Sequence, residues 1–118
     1  IGALSFVNAA VVIGGACFIG RNVLINRSAS IGHHCFIADG ASLGPAVTLA
    51  SNVRVGHRVV IGVGSTILPD VKIGDDAVVS AGALVRKSVP DGAVVAGAPA
   101  TEQRMIRAHS VLSRMDQE

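Results

Sequence analysis

Imidazoles and thiols are scarce in this 118-residue sequence: His33, His34, His57, His109, Cys17 and Cys35 are the full set. A histidine exchanges a proton near neutral pH, so an imidazole presented at a cleft is a natural general base. The adjacent pair His33-His34 is the first candidate for that chemistry, and His57, in Gly56-His57-Arg58, is the second. Zinc would need converging nitrogen or sulfur ligands at about 2.0–2.1 Å. The spacing puts His33, His34 and His57 on two different corners of the repeat, so no metal site is expected. Cys17 and Cys35 are eighteen residues apart. They read as small inward residues stacked on each other, with a disulfide conceivable at that spacing, and not as nucleophiles.

What positions these residues is a six-residue repeat. Every sixth residue from Ile1 to Val85 is Ile, Leu or Val, fifteen in succession. These types make up 35 of the 118 residues, so the run has a chance frequency on the order of 10⁻⁸. The residue four positions after each aliphatic is always small or β-branched, and in ten of fifteen hexads the residue straight after the aliphatic is Gly or Asn. The small residue, its successor and the following aliphatic form a short strand whose first and third members point inward. Gly or Asn is expected to open each corner because these residues tolerate positive φ. Three strands and three corners close one triangular coil of eighteen residues, and fifteen hexads make five coils over residues 1–90. No Arg, Lys, Asp, Glu or His in that span occupies an inward slot. Asn8 and Asn26 stack at one corner, as a ladder.

Composition bounds the class. Half the residues are hydrophobic, with 3% aromatic, 15% charged and a net charge of +2. That is too apolar for disorder and too weakly charged for a nucleic-acid surface. The longest apolar stretch, Ala9–Gly20, is far short of the roughly 20 residues a spanning helix needs, so no membrane insertion is expected. One outward column reads Phe6, Leu24, Ser42, Val60, Val78 and another Phe18, Phe36, Arg54, Lys72, Pro90. Apolar columns of this kind suit burial between subunits, and a homotrimer is expected. Residues 91–100 read as an extended closing segment. Residues 101–118 read as a helix capped by Thr101, with Met105, Ala108, Leu112 and Met115 on one face. The first coil has no cap, so a preceding segment is expected.

The segment Ile25–Leu49, INRSASIGHHCFIADGASLGPAVTL, and the closing VPDGAVVAGAPA resemble the hexapeptide-repeat sugar acetyltransferases of the sialic acid O-acetyltransferase and UDP-amino-sugar N-acetyltransferase type. The resemblance implies an all-β fold, a left-handed parallel β-helix of about five coils with a short C-terminal α-helix. It implies acetyl-CoA as co-substrate, a sugar or nucleotide-sugar acceptor, a cytoplasmic bacterial setting, and an N-terminal nucleotide-sugar-binding domain outside this chain. His33 matches the catalytic base of these enzymes. They usually have Asp or Glu next, where this chain has His34, with Ser51 and Asn52 one coil on as alternative orienting groups. They often have a His at the position of Ser42, near the thioester. The pantetheine arm is expected along a corner of small residues at Val63, Gly64, Ala81 and Gly82, with Ser42 and Ser51 toward the thioester end. Arg86 and Lys87 are placed to meet the CoA phosphates. Gamma-class carbonic anhydrases resemble the chain in fold, but their pair of His five apart is missing here. The rival reading is a non-catalytic β-helical trimerisation or scaffold module.

Overall fold

The computed structural model describes residues 1–103. From Phe6 to Val85 two-residue strands alternate with four-residue corners. Each strand pairs in parallel with the one eighteen residues on: Phe6 lies beside Leu24, Val12 beside Ser30, and Phe18 beside Phe36. The result is three sheets wound as one solenoid of about five turns. The first sheet stacks strands from Phe6–Val7 to Val78–Val79, the second from Val12–Ile13 to Leu84–Val85, and the third from Phe18–Ile19 to Lys72–Ile73. Backbone N–H groups in and just after the strands donate to the carbonyls of the next coil, for example Phe36 N to Val53 O at 2.9 Å and Gly32 N to Leu49 O at 2.8 Å, while those in the left-handed slots donate to the coil before.

The inward slots are those the repeat specifies. Ile25, Ile31, Ile37, Leu43, Leu49, Ile61, Ile67 and Ile73 are buried, and so are the small partners Val23, Ala29, Cys35, Ala41, Val47, Val53 and Val59. Each fully buried branched aliphatic contributes roughly 1.5–3 kcal/mol. Among the described residues the one buried polar residue, Ser65, donates its hydroxyl to Ser80 O at 2.9 Å and accepts from Ala83 N. The first coil is looser: Ile1, Leu4 and Phe6 are exposed, and Val7, Val11, Ile13 and Cys17 are only partly covered.

The corners depart from the sequence expectation. Left-handed backbone falls three residues after each inward aliphatic from Ile1 to Val79, as at Leu4, Asn22, Ser28, His34, Asn52 and Asp76, with φ between 53° and 76°. None of the eight glycines that open a corner has positive φ. At these glycines a Cβ would crowd the coil above. A Cβ on Gly32 would stand 2.8 Å from the backbone of Ala50 and Ser51, and one on Gly62 would stand 2.5 Å from Ala81 N. The Asn8–Asn26 ladder is also absent: Asn26 donates its amide to Leu43 O, and Asn8 Oδ1 accepts from Ala9 N.

At the other end Val94–Gly97 pairs in parallel with Val78–Val79, and Ala100–Glu102 then folds back antiparallel onto it. Thr101 faces Ala96 in this hairpin, so it is a strand residue and not a helix cap. The expected helix positions Met105, Ala108, Leu112 and Met115 lie outside the described residues, as does His109. Among the described residues no helix is long and apolar enough to cross a membrane.

Candidate active site

The corner between the second and third sheets carries the histidine pair. One column there reads Gly15, His33, Ser51 and the next Ala16, His34, Asn52, Asp70. Backbone bonds stack these coils: His34 N donates to Gly15 O at 3.0 Å, and Asn52 N donates to His33 O at 2.9 Å. Both rings are exposed. Their Nδ1 atoms are 2.9 Å apart, and the ring planes meet at 88° with centroids 5.1 Å apart. His34, not Ser51 or Asn52, is therefore the group bonded to His33. Asn52 is turned the other way and donates its amide to Asp70 at 2.7 Å.

The other expected site residues stand elsewhere on the prism. Ser42 projects outward from the first sheet, because its neighbours Ala41 and Leu43 fill inward slots. The first sheet is the face opposite the His33 corner. Val63, Gly64, Ala81 and Gly82 occupy the corner between the first and second sheets, with Gly64 and Gly82 at φ +70° and +69° and nothing within 4 Å of a Cβ at either. That corner is open enough for a thin ligand to lie against the backbone. Within one chain, His33 and Ser51 thus share a corner, while Ser42 and the small-residue corner face other directions. Arg86 and Lys87 line a separate groove of about 290 Å³ under the closing hairpin.

The third corner holds the most developed charge network. His57 Nδ1 is 3.1 Å from Asp75 Oδ1, and His57 N donates to the same oxygen at 2.7 Å. The His57 backbone N–H, then its ring, hold the Asp75 carboxyl below the usual carboxylate range. Arg58 grips Asp76 with two bonds of 2.7 and 3.1 Å, which lowers the Asp76 carboxyl and raises the guanidinium. His57 and Asp75 edge a groove of about 280 Å³ with Phe36, Arg54 and Lys72. Sequence reading paired His57 only with Arg58. Asp75 is eighteen residues from His57, so the stacking rule already contained the signal.

The thiols are not poised as nucleophiles. Cys35 is buried and donates to Ala50 O at 3.1 Å, and burial pushes its thiol up. Cys17 donates to Gly32 O at 3.1 Å, and both are free. Among the described residues no three His, Cys, Asp or Glu side chains converge as metal ligands.

Comparison with known proteins adds the following. The family model for bacterial transferase hexapeptide (six repeats) matches residues 52–87, and that for the hexapeptide repeat of succinyl-transferase matches residues 10–45. No curated protein sequence matches the chain. Among solved structures, a mutant perosamine N-acetyltransferase from Caulobacter crescentus, in complex with CoA and GDP-perosamine, is 32% identical with a TM-score of 0.76; the match covers 84% of this chain and 57% of that one. The acetyltransferase domain of PglB from Neisseria gonorrhoeae, in complex with acetyl coenzyme A, is 29% identical with a TM-score of 0.85, over 87% of this chain and 51% of that one. WeeI from Acinetobacter baumannii is 27% identical with a TM-score of 0.71, over 84% and 55%. The chain thus spans little more than half the length of these structures. They are left-handed β-helices, and superposition preserves hand, so the handedness that the spacing leaves open is left.

Proposed function

We propose that this left-handed hexapeptide-repeat chain is the transfer module of an acetyl-CoA-dependent acetyltransferase acting on an amino or hydroxyl group of a sugar or nucleotide sugar, with His33 as general base. The observation that carries the reading is an exposed imidazole, ring-paired at Nδ1, on a β-helix that superposes on sugar acetyltransferases bound to CoA. Acetyl-CoA supplies the acyl thioester. Nε2 of His33 takes the proton of the acceptor N–H or O–H as that atom attacks the thioester carbonyl carbon. The C–S bond then breaks, and the imidazolium returns its proton to the departing sulfur. No covalent enzyme intermediate is needed, and neither Cys is available to form one. Holding acceptor and thioester in line supplies much of the rate.

The reading requires more than one copy of the chain. His33 and Ser51 lie at one corner, and Ser42 lies on the opposite face. A homotrimer of parallel prisms would bring the Ser42 face and the small-residue corner at Val63, Gly64, Ala81 and Gly82 of one copy against the His33 corner of the next. The first and second faces have no charged outward strand residue in the five coils, which suits such contact. The setting proposed is the bacterial cytoplasm.

The test is His33→Ala, assayed by release of the CoA thiol with amino-sugar and nucleotide-sugar acceptors. Loss of a general base costs about 10²–10⁴-fold. A variant that folds and turns over like the parent overturns the role of His33. A scaffold role has one observation in its favour, the lack of a carboxylate beside the base. No heat and no thermal shift with millimolar acetyl-CoA would favour it over transfer.

A further inference from the structure

We infer that His34 is a positioning residue whose Nδ1 accepts a hydrogen bond from Nδ1–H of His33, so that a neutral imidazole does the orienting work usually given to a carboxylate. Two nitrogens 2.9 Å apart hold one proton between them. If His33 is the donor, its Nε2 carries the lone pair and is the basic atom left to meet an acceptor. If His34 is the donor, Nε2 of His33 carries the proton and the ring cannot act as a base there. The transfer reading on which this inference rests therefore selects the first tautomer. When Nε2 takes up the acceptor proton, the bond becomes imidazolium N–H to neutral nitrogen. Such charge-assisted bonds are roughly twice as strong as neutral ones, so the contact tightens as the proton moves.

The backbone explains why His34 can reach. Residue 34 sits in the left-handed slot of its corner at φ 58°. That conformation sets its ring edge-on to that of His33. Among the described residues no carboxylate competes for the pair. Gly15 and Ala16 stand in the coil below and Ser51 and Asn52 in the coil above, while Asp70, the acid of the column, is engaged by Asn52. Among the described residues the only ion pairs are those of His57 and Arg58.

The same column supplies well-behaved variants. Asn52 and Asp70 occupy the identical left-handed slot in the next two coils, so Asn and Asp at 34 suit the fold. Oδ1 of either reaches about as far from the backbone as Nδ1 of histidine. His34→Asn keeps a neutral acceptor, His34→Asp supplies a charged one, and His34→Ala removes it. The expected result is a fall in kcat of tenfold or more for His34→Ala with KM for acetyl-CoA unchanged, near-parent kcat for His34→Asn, and parent-level or higher kcat for His34→Asp. Equal kcat in the Ala variant and the parent, or an Asn variant no better than Ala, overturns the inference. Nitrogen-15 NMR of the imidazoles in the full chain reads the tautomer without turnover. The expected pattern is a protonated Nδ1 and bare Nε2 on His33, with a bare, hydrogen-bonded Nδ1 on His34, and the reverse assignment overturns it. The two readings fail separately: an active His33→Ala defeats the transfer mechanism, whereas an inactive His33→Ala with fully active His34→Ala defeats only the role of His34.

Discussion

Gly32→Ala and Gly15→Ala are the same chemical change on adjacent coils, and the structure assigns them opposite signs. A Cβ at Gly32 would lie 2.8 Å from Ala50 C and Ser51 N, both backbone, where ordinary contact begins at 3.4 Å. The next coil would have to retreat by about 0.6 Å. It is held by Gly32 N to Leu49 O at 2.8 Å and Asn52 N to His33 O at 2.9 Å, and both bonds would stretch to the edge of usefulness. Overpacking costs about 1–3 kcal/mol and weakened backbone bonds about 1 kcal/mol more. Against this, Ala at an unstrained site stabilises by roughly 0.4–1 kcal/mol through the unfolded chain. The net is about 2–3 kcal/mol of destabilisation, or roughly 8–12 °C in Tm for a chain of this size. At Gly15 nothing lies within 4 Å of the added Cβ and the backbone is not left-handed, so only the favourable part remains. Its Tm should rise by about 2–4 °C. Thermal unfolding followed by far-ultraviolet circular dichroism decides. Equal shifts in the two variants, or a Gly32→Ala protein that melts no lower than the parent, would refute the claim that coil contact rather than torsion selects these glycines. Activity should follow stability here, because Gly32 immediately precedes His33 and abuts the coil bonded to the His33 backbone.

Stability should also depend on acid. The Asp75 and Asp76 carboxyls are held low in the folded chain by His57 and Arg58, so their contribution is complete above about pH 4 and is lost as pH falls through the lowered folded values. Asp75→Asn should flatten the acid side of a plot of urea midpoint against pH, and an unchanged plot would count against that network. Val60→Glu places a charge on the uncharged first face, where Val60 is 46% exposed. It should convert the proposed trimer to folded monomer in sedimentation, and a persistent trimer would exclude that face from the contact. Native Cys35, with its thiol raised by burial, should resist iodoacetamide near pH 8 and label fully in urea. Labelling at the rate of a free thiol in the native chain would contradict its inward placement.

The repeat was readable because each inward slot is specified locally. Ile31, Cys35 and Ile37 announce their burial by type and spacing alone, and the structure buries all three. The eighteen-residue stacking rule followed from the same count, and it placed Cys17 against Cys35 and Phe18 against Phe36, whose rings stack at 4.8 Å. Applied to charged corners it would also have found Asp75 over His57 and Asp76 over Arg58. The corner glycines were misread because torsion and close approach favour the same residue, and a sequence does not distinguish them. Thr101 was misread because a cap signal is only a few residues long, and the pairing of Ala100–Glu102 with Val94–Gly97 overrode it.

By itself the sequence determined the coil: three short strands per turn, which side chains point inward, and which residues share a column. These follow from a period-two strand inside an eighteen-residue turn, a rule that acts within a few residues of itself. The tertiary structure decided what touches what. It put the left-handed backbone at residue 34 and so brought His34 Nδ1 to His33. It gave Asn52 to Asp70 and thus removed it from the imidazoles. Side-chain pairing at a corner depends on backbone torsion and on the coil above, and neither is written in the spacing of residue types.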